Sequence, residues 1–301
     1  MNKTVVSVSF ALLLSTVHIV ICQDSEWGTN DYIEYQVGTT GTKIILTSSH
    51  GGHLRPESIP ERDHGCFIAD VCVYSHFCSP KDELNCRAVV IPDAHTLELT
   101  GTIADAMQNI TGQRPHVILN HLHRGKLDAN REIEQAAFGV PEAETAWREF
   151  HEFIERAQAT VGTGLLVDIH GHGHPEPWLE IGYLFSGLDL DLNDIDPARS
   201  SIYHLSTQVN VPFDDLLRGA ESLGGRCEAA GYIAVPAPDY PGPDGGNYFT
   251  GGYITRRHGS RDQGTIDAIQ IESPRFLRDM WEDYGSDLAV IILNFYQRWY
   301  T

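Results

Sequence analysis

The chain has 301 residues, 42% of them hydrophobic, and 21 basic against 41 acidic side chains give a formal charge of −20. That length and apolar content can bury a sizeable core. The acidic balance argues against a nucleic-acid partner, whose phosphates would be repelled, and against tight docking on anionic membranes.

Residues 1–22 read as a secretory signal: Lys3 precedes an apolar run from Val5 to Cys22, and Gln23-Asp24-Ser25-Glu26 follows. A retained anchor is the alternative, because the run is long for a signal. The expected location after signal removal is extracellular, off the membrane. Residues 23–301 read as one domain, since no repeat and no Ser-, Gly- or Pro-rich linker divides them. Lys43–Ser48 is a strand candidate that ends at Ser49-His50-Gly51-Gly52. The stretch 51–92 is loop-like and rich in Pro, Asp and Cys. Cys66, Cys72, Cys78 and Cys86 crowd it, while Cys227 lies far away. In a secreted chain the four are expected to form disulfides, with all three connectivities open.

Thr96–Ile110 has helical spacing of Leu97, Ile103, Ala104 and Met107, with Asp93 placed as its N-cap. Asn109-Ile110-Thr111 is a glycosylation sequon. Val117–Asn120 is a short strand. Glu142–Thr160 is a helix that buries Ala146, Phe150, Phe153, Ile154 and Ala157. Leu165–Ile169 is a buried strand, Phe213–Leu223 a helix, and 236–252 a Pro/Gly-rich loop. Thr265–Ile271 is a strand leading to Glu272, and Phe276–Trp299 is a closing helix. This alternation predicts an α/β fold with three layers, α/β/α, around a mixed central sheet. Its site should lie at the carboxyl ends of the strands.

The run from Gly164 to His174 carries the clearest chemistry. An apolar strand delivers Asp168 and then His170, His172 and His174 at alternate positions. Asp-x-His at a strand end suits a metal site, because imidazole binds zinc while a nearby carboxylate orients it. The other strand ends add His50, then Arg124, Asn130 and Arg131, then Glu272. Packing alone does not explain metal ligands, arginines and a carboxylate gathered at strand ends.

Four segments together resemble the N-formylglutamate amidohydrolase-like branch of the zinc carboxypeptidase superfamily. They are His50-Gly51-Gly52, the run Arg124-Gly125-Lys126-Leu127-Asp128-Ala129-Asn130-Arg131, Asp168-Ile169-His170 and Ile269-Gln270-Ile271-Glu272. The resemblance runs from about Lys43 to Trp299. It implies a phosphorylase/hydrolase-like fold, one zinc ion (Zn2+), and cleavage of an amide bond near a carboxylate by zinc-activated water. In that scheme His50 and His170 are metal ligands and Glu272 is the general base. Arg124 stabilises the oxyanion, and Arg131 with Asn130 clamps the substrate carboxylate. Asp128 positions the arginines. The expected local glutamate ligand is replaced here by His53 or Arg55. Asp93 is chosen as third ligand, with Glu57 and His53 as alternatives, which makes 57–92 a Cys-rich insertion. His172 and His174 are left as pocket lining, ligands of a second metal or solvent-facing residues. Tyr253 is placed with the substrate-binding residues, and His258, in the same Gly-rich approach to the last strand, is left undecided.

N-formylglutamate hydrolysis serves intracellular histidine breakdown. A secreted chain leaves an N-acyl amino acid, a γ-glutamyl chain or a peptide C-terminus as candidate substrates. The alternative is a secreted binding protein for carboxylate ligands that kept the fold and lost turnover. Retention of both Glu272 and Arg124 favours the enzyme, since a binder needs neither.

Overall fold

The computed structural model describes residues 25–69, 71–78 and 86–301. The expected signal segment, 1–22, lies outside the described residues. The chain runs through β1 (Ser25–Trp27), β2 (Ile33–Gln36), β3 (Ile44–Ser48), β4 (Cys66–Ile68), β5 (Val71–Val73), α1 (Thr96–Thr111), β6 (His116–Asn120), α2 (Ile133–Ala137), α3 (Pro141–Val161) and β7 (Gly164–His172). It continues through β8 (Leu179–Gly182), α4 (Gly187–Asp191), α5 (Tyr203–Gln208), α6 (Phe213–Arg218), α7 (Leu223–Ala229), β9 (Ala234–Val235), α8 (Tyr253–His258), β10 (Ile266–Pro274), α9 (Arg275–Arg278) and α10 (Trp281–Tyr300).

The main sheet has the order β1-β2-β6-β3-β7-β10-β8-β9. Its centre is parallel, β6 with β3, β3 with β7 and β7 with β10. β2 joins antiparallel at one side and β8 at the other, so the sheet is mixed. Strand alternation splits the apolar residues between two cores. Ile44, Leu46, Leu165, Val167, Ile169, Ile269 and Ile271 pack with α1, α7 and α10. Ile45, Ile118, Leu166, Ile266 and Ala268 pack with α2 and α3. The central strands are buried on both faces, as expected of a parallel sheet covered by helices. The result is the three-layer α/β/α arrangement.

The long helices match their periodicity. α3 buries Ala146, Phe150, Phe153, Ile154 and Ala157. Two helical segments differ from expectation. Phe213–Leu223 is two helices, because α6 ends at Gly219 and Ser222 caps α7 by accepting from the Gly225 N–H at 3.0 Å. The closing segment breaks between α9 and α10, where Met280 has non-helical φ −110° and ψ 38°. β7 and β10 outrun their predicted ends, so His170 and Glu272 lie within strands.

The stretch read as loop contains the β4–β5 hairpin, pinned by Cys66–Cys78 and Cys72–Cys86. These bridges span 12 and 14 residues. Closing loops of that size restricts the unfolded chain by roughly 3 kcal/mol each. Mass spectrometry of non-reduced digests is expected to recover these two links, and four free thiols in secreted protein would contradict them.

Candidate metal centre and active site

The site forms where the carboxyl ends of β3, β6, β7 and β10 meet. After β3, Gly51-Gly52 carries the chain across the end of β6. A Cβ on Gly52 would stand 2.3 Å from the carbonyl carbon of His121, so only glycine permits this approach. The turn places His50, 2% exposed, among buried carboxylates. His50 Nδ1 lies 3.2 Å from Asp93 Oδ2, and its Nε2 lies 2.6 Å from Asp128 Oδ1. His170 on β7 repeats the pattern. Its Nδ1 lies 3.1 Å from the same Asp93 oxygen and its Nε2 lies 2.8 Å from Asp168 Oδ2. Thr47 donates to the other Asp168 oxygen at 2.7 Å.

The donor set fits a zinc-class ion. Ligand atoms about 2.0–2.1 Å from a tetrahedral zinc stand roughly 3.3 Å apart. One Asp93 oxygen already stands at about that spacing, 3.2 Å from His50 Nδ1 and 3.1 Å from His170 Nδ1, and one ligand atom of each of the three residues lies within 4.8 Å of the others. Each histidine also turns its remote nitrogen to a carboxylate, an arrangement that fixes the ring and makes the ligating nitrogen more basic. Asp128 is therefore more than a spacer between arginines. It accepts from Arg124 Nε at 3.1 Å while it orients His50.

Asp93 is not the N-cap of α1. The cap position is His95, which makes no side-chain capping bond. The Asp93 carboxylate instead accepts from Arg124 Nη1 at 3.1 Å and from the Gly171 N–H at 3.2 Å. Of the alternative ligands, Glu57 and His53 are exposed and do not line the cavity. Burial alone would raise the Asp93 and Asp128 pKa values, but the charges of His50 and Arg124 and the histidine hydrogen bonds outweigh it. Both carboxyls are held well below the usual range.

His50, Asp93, Arg124, Arg131, His170 and Glu272 line a common cavity of about 420 Å³. Glu272 is opposite His170 in the β7–β10 register, and its Oε1 is 4.0 Å from His170 Nδ1. Oε1 accepts from Gln270 Nε2 at 2.9 Å. Oε2 is buried with no hydrogen-bond partner among the described residues. Burial pushes the Glu272 carboxyl up to about 8, with Asp93 and Glu180 adding to the rise and His170 opposing it. A buried carboxyl poised near neutral pH is suited to taking and giving protons.

Arg124 is held by Asp93, Asp128 and the Ile91 carbonyl, which leaves Nη2 with no acceptor among the described residues. Arg131 donates through Nη1 to the Asn130 carbonyl at 2.8 Å and lines the cavity. The Ile254 N–H fixes Asn130 by donating to its Oδ1 at 2.8 Å. Tyr253 does not line the cavity. Its ring packs on Trp147 and His151, and its hydroxyl accepts from Arg257 at 2.8 Å. Asn109 is exposed on the last turn of α1.

Sequence reasoning missed two arginines. Arg62, fully buried, reaches out of the disulfide-pinned segment to the carbonyls of Arg124, Gln135 and Val89. It stands 3.6 Å from Asp128, and burial lowers its pKa to about 10. Arg278 donates to the carbonyls of Ala94, His172 and Ser273, tying three site segments together. It occupies the space where a side chain on Gly171 would sit. Neither arginine carries a local signal, because each acts on carbonyls brought near only by folding.

Behind Asn130, His151 and His258 stack with ring centroids 5.1 Å apart and share a 2.8 Å contact. Burial, with Arg257 adding to it, depresses the His151 pKa to about 3; burial, its His151 neighbour and Arg257 hold His258 well below the usual value. The unfolded chain therefore binds protons that the folded chain refuses. Stability contributed by the neutral rings is present above the ordinary histidine pKa near ~6.5 and is lost as pH falls below it. Between pH 7 and 5 the loss from His151 should be about 2 kcal/mol, with His258 acting in the same direction. Urea unfolding across that interval is expected to show a shallower pH dependence in His151→Gln than in wild type. Equal slopes would remove His151 as the source.

No family model matches the sequence, and no curated protein matches it. Solved structures to which the chain is similar include N-formylglutamate amidohydrolase from Ralstonia eutropha JMP134, at 13% identity and TM-score 0.48, covering 86% of this chain and 94% of that one. They also include gene product Atu2144 from Agrobacterium tumefaciens, at 14% identity and TM-score 0.46, covering 86% and 89%. A third is the N-acetylmuramyl-L-alanine amidase Ami1 from Mycobacterium smegmatis, at 12% identity and TM-score 0.39, covering 86% and 97%.

Proposed function

We propose that this chain is a secreted zinc-dependent hydrolase that cleaves an amide bond in a small carboxylate-bearing substrate. An N-acyl amino acid, a γ-glutamyl chain and a peptide C-terminus are the substrate classes. One observation carries the reading: His50, Asp93 and His170 converge in one cavity with Glu272, whose buried Oε2 has no hydrogen-bond partner among the described residues. The two disulfides support an oxidising compartment, and the exposed Asn109 supports use of its sequon.

Zinc bound by His50 Nδ1, His170 Nδ1 and Asp93 would supply a Lewis acid and lower the pKa of water towards ~7. Asp128 and Asp168 hold the two imidazoles in the ligating orientation. Glu272 takes a proton from the attacking water at Oε2 and returns it to the leaving amine nitrogen. Arg124 offers Nη2 to the oxygen on which negative charge develops, and its other donors keep it fixed. Arg131 binds the substrate carboxylate.

Elemental analysis of purified protein, followed by a screen of the three substrate classes, tests the reading. Stoichiometric zinc and turnover are expected. Carboxylate binding by zinc-loaded protein without turnover would put a binding protein in place of the enzyme. Arg131→Ala is expected to raise KM with a smaller change in kcat, because the clamp acts in ground state and transition state alike. Steady-state kinetics checks this, and an unchanged KM would remove Arg131 from the binding site.

A further inference from the structure

The β7–β10–β8 register aligns three residues across adjacent strands. His170 is opposite Glu272, and Glu272 is opposite Glu180. His170 belongs to the centre described above. Glu180, on the far side of Glu272, belongs to a separate group with His172 and His174. The ligating atoms of these three residues all lie within 4.8 Å of one another.

Each member is prepared for a cation. Glu180 is fully buried, yet the ionisable groups in ion-pair reach of it among the described residues are His172 Nδ1, at 3.6 Å, and His174 Nδ1, at 2.7 Å. No arginine or lysine answers its charge there, whereas Asp128 has Arg124 and Arg62. A buried carboxylate without a fixed cation is costly. Its Oε2 accepts from the Phe249 N–H at 2.6 Å, which aims Oε1 at the two imidazoles. His172 donates through Nε2 to the Trp178 carbonyl at 2.9 Å. That bond leaves Nδ1 as the lone-pair nitrogen facing Glu180, and a carbonyl behind a ligating histidine is a usual support. The His174 ring is stacked on Phe249 with centroids 4.5 Å apart.

We propose that His172 Nδ1, His174 Nδ1 and Glu180 Oε1 form a second divalent-metal site of zinc type, separated from the first by Glu272. Two neutral imidazoles and one carboxylate are a zinc donor set with an open fourth position. Ion entry displaces the His174 N–H, which donates to His172 Nδ1 at 3.1 Å. Glu272 then stands between two cations rather than beside one, and Phe249 and Gly173 bring the second site to the wall of the same cavity.

The test is metal stoichiometry of the full chain, stripped and titrated with Zn2+ by calorimetry, with Co2+ absorption as an independent readout. Wild type is expected to bind about two ions, His174→Ala about one, and Glu180→Gln about one. His174 is partly exposed, so its variant tests the site even where the buried Glu180→Gln chain fails to fold. His50→Ala is expected to lose the other ion and keep this one. About one ion in wild type, lost in His50→Ala but not in His174→Ala, overturns the second site and leaves the proposed enzyme intact. Two ions in both wild type and His174→Ala place the second ion elsewhere and also overturn it.

Discussion

Replacing Glu272 with Gln is expected to lower kcat by ~10²–10⁴, the usual worth of a general base, while zinc content and ligand affinity stay close to wild type. Gln keeps the shape of the side chain and can still hydrogen-bond to Gln270. It removes only the capacity to take a proton at the buried Oε2. The position makes the effect clean, since Glu272 is 6% exposed and Oε2 has no hydrogen bond to lose among the described residues. Burial raises the Glu272 carboxyl, so the variant should also alter the pH profile of kcat/KM on the side where Glu272 titrates. Steady-state kinetics over pH, with metal analysis of the same samples, is the measurement. An unchanged kcat rules out the assigned role.

Asp93 and Asp128 should separate in their effects on metal. Asp93→Asn removes a charged ligand and is expected to weaken zinc by more than ~100-fold. Asp128→Asn loosens a ligand's support and should weaken it by ~10–100-fold. The two carboxylates are both buried and both touch His50, so burial and contact do not distinguish them. What does is that one Asp93 oxygen lies near both His50 and His170, whereas Asp128 meets only the remote nitrogen of His50. Were Asp93 merely a helix cap, substitution would cost ~1 kcal/mol of stability and leave zinc affinity alone. Competition titration against a chelator of known affinity measures both variants. Equal zinc affinity in wild type and Asp93→Asn would require a different third ligand.

Much of this architecture is written locally. The strand cores Ile44–Ser48, Gly164–His172 and Ile266–Pro274 are apolar runs, and α1 and α3 repeat their buried residues at helical spacing. Those signals need only neighbours along the chain. β1, β2, β8 and β9 escaped because they are short, and β8 carries Glu180 in its middle, which breaks an apolar reading. The histidines were visible as ligand types at strand ends, since a parallel sheet directs those ends to one side.

The third ligand was a different problem. Asp93 lies 43 residues from His50 and 77 from His170. The sequence reading chose it with Glu57 and His53 kept as alternatives, and the fold turned Asp93 inward while those two stayed exposed. Tyr253 went the other way: it follows Gly251 and Gly252, which line the cavity, yet α8 turns its ring onto Trp147. Arg62, Arg278 and Glu180 had no local signature at all, and the pairing of the four clustered cysteines was open until the hairpin brought Cys66 to Cys78 and Cys72 to Cys86. By itself, then, the sequence determined the layer order, the strand ends that carry chemistry and the histidines at two of them, because periodicity and residue type act over a few positions. Tertiary structure decided which carboxylate meets the two histidines, the orientation of each ring and the surroundings of each buried carboxyl. Those depend on which groups meet after folding and on how much water is left between them.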